Sequence, residues 1–450
     1  DAGTQLWSTT YDRVLADLFS VQTDIARQVV GELDLTLFPA QERGLEEPPT
    51  ENLEAYQAYL AASALAGDYS DAESQEEVIR LLERAVDLDP GFTGAWAQMA
   101  WTHAQIFHFG LDRTEARVEQ SRRALDEARR LDPSAPEVHL TEGYFHYWTR
   151  QDHAAALRAL RLAARGLPGD VRIPETEGYV LRRQGRYGEA LARLQAARDL
   201  DPLDSNLHRE IGSTLTFLRR YDDALASYQR AKETTSEPLL AYLYEMRVHW
   251  LRGDLAAARA TFEAAPQEPS NVLPTWFGFW QELYEGDLDG ALELLEASPE
   301  PFVRWTTQAV PVVFLEAEVH RLRGDEARAR DAYAEALSAI DAARAATPDD
   351  RRLDGSRALA LAGLGRGEEA RRAADGAVEA VPFDVDAVFH LDRVLDRADV
   401  ERLLGDGSEA ARRVSELVEQ PSMLSRALFE LDPRWRAVVA PSVDDAQSAP

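Results

Sequence analysis

Three histidines are the residues of this sequence that come nearest to a metal or catalytic site. His139, His146 and His153 follow one another at intervals of seven residues. A metal-binding helix face would instead place two histidines four residues apart and add a carboxylate ligand. His139 and His146 fall on one predicted helix and His153 begins the next. The spacing therefore predicts no metal site.

A glycine-rich stretch and two Arg-Gly-Asp tripeptides also fail to indicate a chemical site. Gly363, Gly365 and Gly367 follow no predicted strand, whereas a phosphate-binding loop joins a strand to a helix. The tripeptides begin at Arg252 and Arg323, where a turn between two helices requires glycine and aspartate. No serine lies in a nucleophile elbow, and no carboxylate pair stands out. The sequence predicts a protein that is not an enzyme and needs no cofactor.

The charge and composition exclude further classes of function. The chain has 450 residues and a formal net charge of −30, with 45% hydrophobic residues and no cysteine. Because binders of nucleic acid or anionic membranes need a basic surface, we expect this region to bind neither. No apolar run approaches the ~18 residues of a membrane span. The cytoplasm is slightly favoured over a periplasmic or extracytoplasmic location, and the start at Asp1 suggests a piece of a longer protein.

An internal repeat of about 34 residues organises the chain. Small residues recur where two helices of a hairpin would approach closely, and large residues recur where they would fill the adjoining space. One interval relates Gly178 to Gly212, Tyr187 to Tyr221, Ala190 to Ala224, Leu194 to Tyr228, and Ala197 to Ala231. A single hairpin cannot bury both its faces, so neighbouring hairpins must stack. We find nine such units and a degenerate tenth over about 384–420, which predicts helix for almost all of 52–420.

This pattern resembles the tetratricopeptide repeat (TPR). The resemblance implies an all-α fold, a right-handed TPR superhelix of about nine to ten helical hairpins. The ends are similar to the TolB-like/TPR C-terminal region of bacterial signalling proteins of the Ser/Thr kinase, adenylate cyclase or winged-helix regulator types. The similarity lies in Leu6-Trp7-Ser8, Tyr11-Asp12-Arg13, Leu18-Phe19, Pro49-Thr50-Glu51-Asn52, Glu54-Ala55-Tyr56, Pro421-Ser422 and Leu431-Asp432-Pro433-Arg434-Trp435.

The resemblance also implies a division of the chain. The expected parts are a strand–helix remnant of a TolB-like domain (1–41), a linker (42–51), the TPR solenoid (52–420), a C-terminal cap (421–443) and a flexible tail (444–450).

In TPR arrays the first helix of each unit lines a concave groove, and this implies a set of partner-binding residues. They are Tyr144, Tyr147, Trp148, Tyr179, Arg182, Arg183, Arg209, Phe217, Arg247, Trp250, Trp276, Trp280 and Tyr284. Aromatic residues and arginine are enriched in binding hot spots. Arginines in an acidic protein favour an acidic or C-terminal-carboxylate segment with aromatic or apolar anchors. The alternative is that the aromatic residues only fill the space between repeats, and it stays open for the cluster Trp276–Tyr284.

The function expected from these features is a protein–protein interaction module that binds a peptide or protein partner in the groove. It would be the regulatory part of a bacterial signalling protein. The Lys/Asn carboxylate clamp of chaperone-binding TPRs is absent, since its positions hold Glu175, Tyr179 and Arg209. The alternative is a structural scaffold that self-associates or completes a neighbour's sheet with the strand Thr4–Ser8. A third function, the sensing of a small molecule, has no pocket signature in the sequence to support it. We expect Arg182→Glu with Arg183→Glu to abolish partner capture without unfolding.

Overall fold

The computed structural model describes residues 49–66, 72–266, 268, 271–305, 307–348 and 350–439. The chain divides into two compact units, residues 1–170 (unit 1) and 171–450 (unit 2). The predicted strand Thr4–Ser8, the remnant 1–41, most of the linker and the tail 444–450 lie outside the described residues. Those assignments stay predictions.

Unit 1 contains three helical hairpins in its described part. Its helices are α1 (Leu53–Leu65), α2 (Ala72–Leu88), α3 (Thr93–Phe109), α4 (Glu115–Leu131), α5 (Pro136–Phe145) and α6 (His153–Gly166). Helix α5 continues as a π-helical turn over His146–Arg150. We call the first helix of a hairpin its A-helix.

Unit 2 contains seven hairpins among its described residues, so the predicted all-α repeat fold is confirmed. Its helices are α7 (Arg172–Arg183), α8 (Tyr187–Leu200), α9 (Ser205–Phe217), α10 (Tyr221–Glu233), α11 (Leu239–Arg252), α12 (Leu255–Glu263), α13 (Val272–Glu285), α14 (Leu288–Glu296), α15 (Val312–Leu322), α16 (Glu326–Ala346), α17 (Arg352–Gly363), α18 (Gly367–Glu379), α19 (Ala387–Leu403), α20 (Gly407–Glu419), α21 (Arg426–Leu431) and α22 (Arg436–Val439). The degenerate tenth unit of the sequence corresponds to the hairpin of α19 and α20.

Close approach of the two helices explains the glycines of the repeat. A Cβ on Gly178 of α7 would lie 2.7 Å from Leu194 Cγ of α8. A Cβ on Gly212 of α9 would lie 2.6 Å from the ring of Tyr228 of α10. Each glycine therefore admits a large side chain of the second helix, as the sequence pattern predicts. Helix α11 is capped at its C-terminal end by Gly253, whose φ of 80° is a left-handed conformation that glycine adopts without strain.

A small β-hairpin that the repeat pattern does not predict interrupts the helical array. Strands β1 (Phe302–Arg304) and β2 (Ala309–Pro311) pair antiparallel between α14 and α15, with Val303 opposite Val310. Val303 is 1% exposed and packs into the core that α13, α15 and α17 share. The apolar stretch Val310–Leu315 is thus part strand and part helix. The loop of this hairpin positions Trp305 and Thr307.

Candidate partner-binding site

Two predicted site residues of unit 2 share one buried glutamate. Nη2 of Arg182 on α7 lies 2.6 Å from Oε2 of Glu210 on α9, and Nη1 of Arg209 lies 2.7 Å from Oε1 of the same residue. Burial would raise the pKa of Glu210, but Arg209 and Arg182 outweigh it and hold the pKa below its ordinary value. Removing one partner of such a pair leaves a buried charge uncompensated. Arg182 and Arg209 therefore stabilise unit 2.

A carboxyl group with a raised pKa lies beside this pair. The Tyr179 hydroxyl donates to Oε1 of Glu175 at 2.6 Å, and Asn206 Nδ2 donates to the same oxygen at 3.0 Å. Burial raises the pKa of Glu175 to about 7, against the effect of these hydrogen bonds. At neutral pH this carboxyl is therefore only partly ionised.

The C-terminal elements of unit 2 contact its earlier A-helices. Arg183 at the end of α7 forms an ion pair of 3.2 Å with Asp386, the N-cap residue of α19. The Ser425 hydroxyl donates to the Leu251 carbonyl of α11 at 2.7 Å. We call residues 421–435 the C-terminal segment. Part of the predicted groove of unit 2 is thus covered by this chain itself.

Arg247 on α11 has a different environment from the other predicted arginines. Its guanidinium carbon lies 5.4 Å from the ring centroid of Phe277, 5.8 Å from that of Trp305 and 5.9 Å from that of Tyr244. Its Nη1 lies 3.2 Å from the thioether sulfur of Met423, a weak acceptor. No carboxylate among the described residues lies within ion-pair distance of it. We call Arg182, Arg183, Arg209 and Arg247 together the arginine face.

The aromatic cluster on α13 is mainly a packing feature. Arg434 of the C-terminal segment lies over the ring of Trp280 at 4.5 Å, and Trp276 meets Trp280 edge-on with ring centroids 5.4 Å apart. Tyr284 is only 9% exposed. Trp276 and Trp280 remain half-buried. The alternative that these residues fill space inside the array therefore holds for Tyr284, and their role in binding stays a prediction.

Five predicted groove residues are buried, and the expectation that the groove displays them is wrong: Tyr144, Tyr147, Phe217, Trp250 and Tyr284. Trp250 is 4% exposed, stacks on Phe277 at 5.5 Å and donates its indole N–H to Gln281 Oε1 at 2.7 Å. Phe217 is 5% exposed and stacks on Tyr187 at 4.8 Å. Trp250 packs against the next repeat and Phe217 against α8 of the preceding repeat, because a large side chain is needed there to fill the inter-repeat space.

The predicted residues of unit 1 form an aromatic cluster of their own. The rings of Tyr144 and Trp148 lie 4.4 Å apart, and Trp148 stacks on His108 of α3 at 5.2 Å. Trp101 of α3 joins them, with its ring 5.9 Å from Trp148. Tyr144 and Tyr147 are buried, whereas Trp148 is half-buried. We call Trp101, His108, Tyr144 and Trp148 the aromatic face.

Several residues of these faces were not predicted. Tyr244 contacts both Arg209 and Arg247, with the guanidinium of Arg209 5.4 Å from its ring. Its position on an A-helix could have indicated this. Trp305 lies on the β-hairpin loop, outside the repeat pattern, so no signal in the repeat could find it. Asp386 is 203 residues from Arg183, and no local pattern relates the two.

Two of the three spaced histidines contact a glutamate on their own helix. His139 and His146 flank Glu142 at 3.6 Å and 3.8 Å, and Arg129 lies 2.8 Å from the same carboxylate. Hydrogen bonding from His146 and the charge of Arg129 lower the pKa of Glu142 to about 2, against burial. Within the described ranges no group of histidines and carboxylates could hold a metal ion. In the same ranges, no helix is long and apolar enough for a membrane span.

Comparison with known proteins agrees with this repeat architecture. Residues 113–171, 176–238 and 314–385 match the family model of the tetratricopeptide repeat. A stretch of 150 residues is 32% identical to "Putative adenylate cyclase 3" of Rhizobium meliloti (strain 1021), covering 33% of this chain and 25% of that protein. The chain therefore contains tetratricopeptide repeats, and it spans about a quarter of the length of this curated relative.

Two solved structures illustrate the similarity to known folds at low sequence identity. Pseudomonas aeruginosa pilF has a TM-score of 0.37 at 18% identity, covering 50% of this chain and 97% of that chain. The human IFIT1 dimer with m7Gppp-AAAA has a TM-score of 0.43 at 14% identity, covering 89% of this chain and 77% of that chain.

Proposed function

We propose that this chain is a protein–protein interaction module that binds an acidic segment of a partner protein at the arginine face of unit 2. TPR proteins are generally interaction modules, and mostly not enzymes. The observation that supports the site is the arginine face itself. It gathers arginine and aromatic side chains in a protein whose formal net charge is −30. Its four arginines outnumber the two carboxylates that pair with them, so this face attracts an acidic partner more than the acidic remainder of the protein does.

We further propose that the module is the regulatory part of a larger bacterial signalling protein. The local similarity to the Rhizobium meliloti protein supports this role, although it covers 33% of this chain. The predicted similarity of the N-terminal 41 residues to a TolB-like domain belongs to the same proposal. In this role the module would recruit or sense a protein partner, and it would bind neither nucleic acid nor a membrane. A separate scaffold that self-associates is the alternative.

Arg182 and Arg183 form ion pairs within unit 2, so their double substitution is not a suitable test of the site. Arg182→Glu with Arg183→Glu would place two new carboxylates beside Glu210 and Asp386, so the double variant is now expected to destabilise unit 2. Tyr244→Leu is a better choice because it keeps most of the side-chain volume and removes the aromatic ring between Arg209 and Arg247. Tyr221→Leu on α10 makes the same change at a half-buried tyrosine of an outer helix and is the matched control.

The test is selection of peptides from a random displayed library on the immobilised chain, followed by affinity measurement. We expect the selected peptides to be acidic and to bind Tyr244→Leu at least ten-fold more weakly, while Tyr221→Leu binds them normally. Trp148→Leu in unit 1 is expected to leave their affinity unchanged. Selection of no peptides, or peptides that depend on Trp148 and not on Tyr244, would contradict the proposal. Concentration-dependent self-association without peptide binding would favour the scaffold.

A further inference from the structure

Arg247 is the member of the arginine face that forms no ion pair with a carboxylate among the described residues. Arg182 and Arg209 pair with Glu210, and Arg183 pairs with Asp386. Arg247 has three aromatic rings and one thioether around it instead. A cation removed from water normally has a carboxylate partner, since desolvation is costly. Arg247 has no such carboxylate partner, and a carboxylate of another molecule could take that place.

Asp392 interacts electrostatically with Arg247 but forms no ion pair with it. Asp392 of α19 accepts a hydrogen bond of 2.5 Å from the Thr307 hydroxyl on the β-hairpin loop. Burial raises the pKa of Asp392 above its ordinary value, even though the Thr307 hydrogen bond and the charges of Arg393 and Arg247 act in the opposite direction. Arg247 therefore keeps donor capacity that a carboxylate from another molecule could use. A planar guanidinium binds a carboxylate through two parallel hydrogen bonds.

The surroundings of Arg247 restrict the ligand further. Glu210 lies on the adjoining helix α9 and Asp392 interacts electrostatically with Arg247, so a dianionic group such as phosphate would meet more repulsion than a single carboxylate. The partly exposed rings of Tyr244 and Trp305 offer apolar surface directly beside the guanidinium, and the buried ring of Phe277 supports it from within the core. A carboxylate with an aromatic or aliphatic side chain next to it would satisfy both features. Arg247 and Trp305 both remain partly accessible to solvent.

We infer that Arg247 binds a single carboxylate of the partner segment, and that Tyr244 and Trp305 contact the apolar side chain beside that carboxylate. This inference rests on the proposed function and specifies its ligand: a peptide in which a monoanionic carboxylate adjoins an apolar residue. Trp305 is then a specificity-determining residue, supplied by the β-hairpin that interrupts the repeats.

N-Acetyl-phenylalanine is a suitable probe because it presents one carboxylate beside one aromatic ring. Its binding to the full chain can be followed from the indole N–H resonance of Trp305, assigned with a Trp305→Phe variant among the nine tryptophans. We expect a dissociation constant on the order of 1 mM, as for a small fragment. The uncharged amide of the same compound should bind at least ten-fold more weakly, because its amide group lacks the charge.

Arg247→Gln should weaken the binding of N-acetyl-phenylalanine to the chain at least ten-fold. Arg330→Gln removes an equal charge from an exposed position of the outer helix α16 and should have no effect. Equal binding of acid and amide, or unchanged binding to Arg247→Gln, would overturn the inference. Inorganic phosphate that binds more tightly than the carboxylate would overturn the assignment of a monoanion.

Failure of this inference can be distinguished from failure of the proposed function. Displayed peptides that bind through Tyr244 but are indifferent to Arg247→Gln would leave the interaction module intact and remove the carboxylate site. Binding of N-acetyl-phenylalanine at Arg247, together with a selection that yields no peptides, would keep the carboxylate site and remove the protein partner.

Discussion

The A-helices of the two units follow one repeat pattern but carry different chemistry. In unit 1, α3 and α5 present rings to each other, with Trp101, Tyr144 and Trp148 in mutual contact. In unit 2, α7 and α9 present arginines that bind one buried glutamate. The repeat therefore decides where a side chain lies, whereas the residue type decides whether the face is apolar or charged. Ring contacts respond weakly to pH, and buried ion pairs respond strongly.

The largest effect is expected where the C-terminal segment joins the array of unit 2. Oε2 of Glu318 on α15 lies 2.8 Å from Nη2 of Arg402 and 3.4 Å from Nη1 of Arg434, and Glu318 is 2% exposed. Glu318→Gln removes the charge that both arginines share. We expect a loss of about 3 kcal/mol in the free energy of unfolding of unit 2, measured by urea unfolding with tryptophan fluorescence.

The control for Glu318→Gln lies on the same helix. Glu316 is half-buried, and burial raises its pKa, so its ionised form is poorly stabilised. Glu316→Gln should change the free energy of unfolding by less than about 0.5 kcal/mol. Equal effects of the two substitutions would show that the ion-pair network does not hold the C-terminal segment in unit 2.

A smaller effect is expected from pH, and its sign should differ between the units. The pKa of Glu175 in unit 2 is raised to about 7 by burial, so the folded state binds a proton that the unfolded state releases. Its contribution to stability is complete below the ordinary pKa near 4.5 and is lost as pH rises toward 7. The pKa of Glu142 in unit 1 is lowered to about 2, so its contribution is lost as pH falls from 4.5 toward 2.

Amide hydrogen exchange measured at pH 5 and pH 7 tests this difference helix by helix, after correction for the intrinsic exchange rate. We expect protection around α7 and α9 to decrease by about 1–2 kcal/mol between these pH values, and protection around α5 to stay constant. Glu175→Gln keeps the size of the side chain and cannot titrate, so it should abolish the pH dependence of amide protection at α7. A dependence that survives in Glu175→Gln would mean that another group titrates.

The repeat features were predictable from the sequence because they are local. Gly178 and Gly212 recur at the repeat interval, and each lies against the large side chain that the pattern pairs with it. The degenerate hairpin of α19 and α20 was found in the same way. Such features depend on neighbours about one repeat away, where spacing carries the information.

The charged contacts of unit 2 were not predictable, because they join residues that no repeat relates. Arg183 and Asp386 are 203 residues apart, and Arg247 contacts Met423 176 residues away. Assignment of Trp250 to the groove was wrong for a similar reason. The repeat gives the helix on which a residue lies, but the packing of Phe277 against that helix decides whether the ring is covered.

The smallest expected effect is that of Arg247→Gln, and it sharpens the comparison within the arginine face itself. Arg182→Gln removes one of two guanidinium partners of Glu210, and we expect a loss of about 1–3 kcal/mol in the free energy of unfolding. Arg247→Gln removes a cation whose attraction to three rings is offset by its own desolvation, so the expected loss is only about 0.5 kcal/mol. Urea unfolding of the two variants under one condition measures the difference. Equal losses would make Arg247 a structural residue like Arg182, whereas a small loss together with weaker binding of N-acetyl-phenylalanine would assign it to recognition.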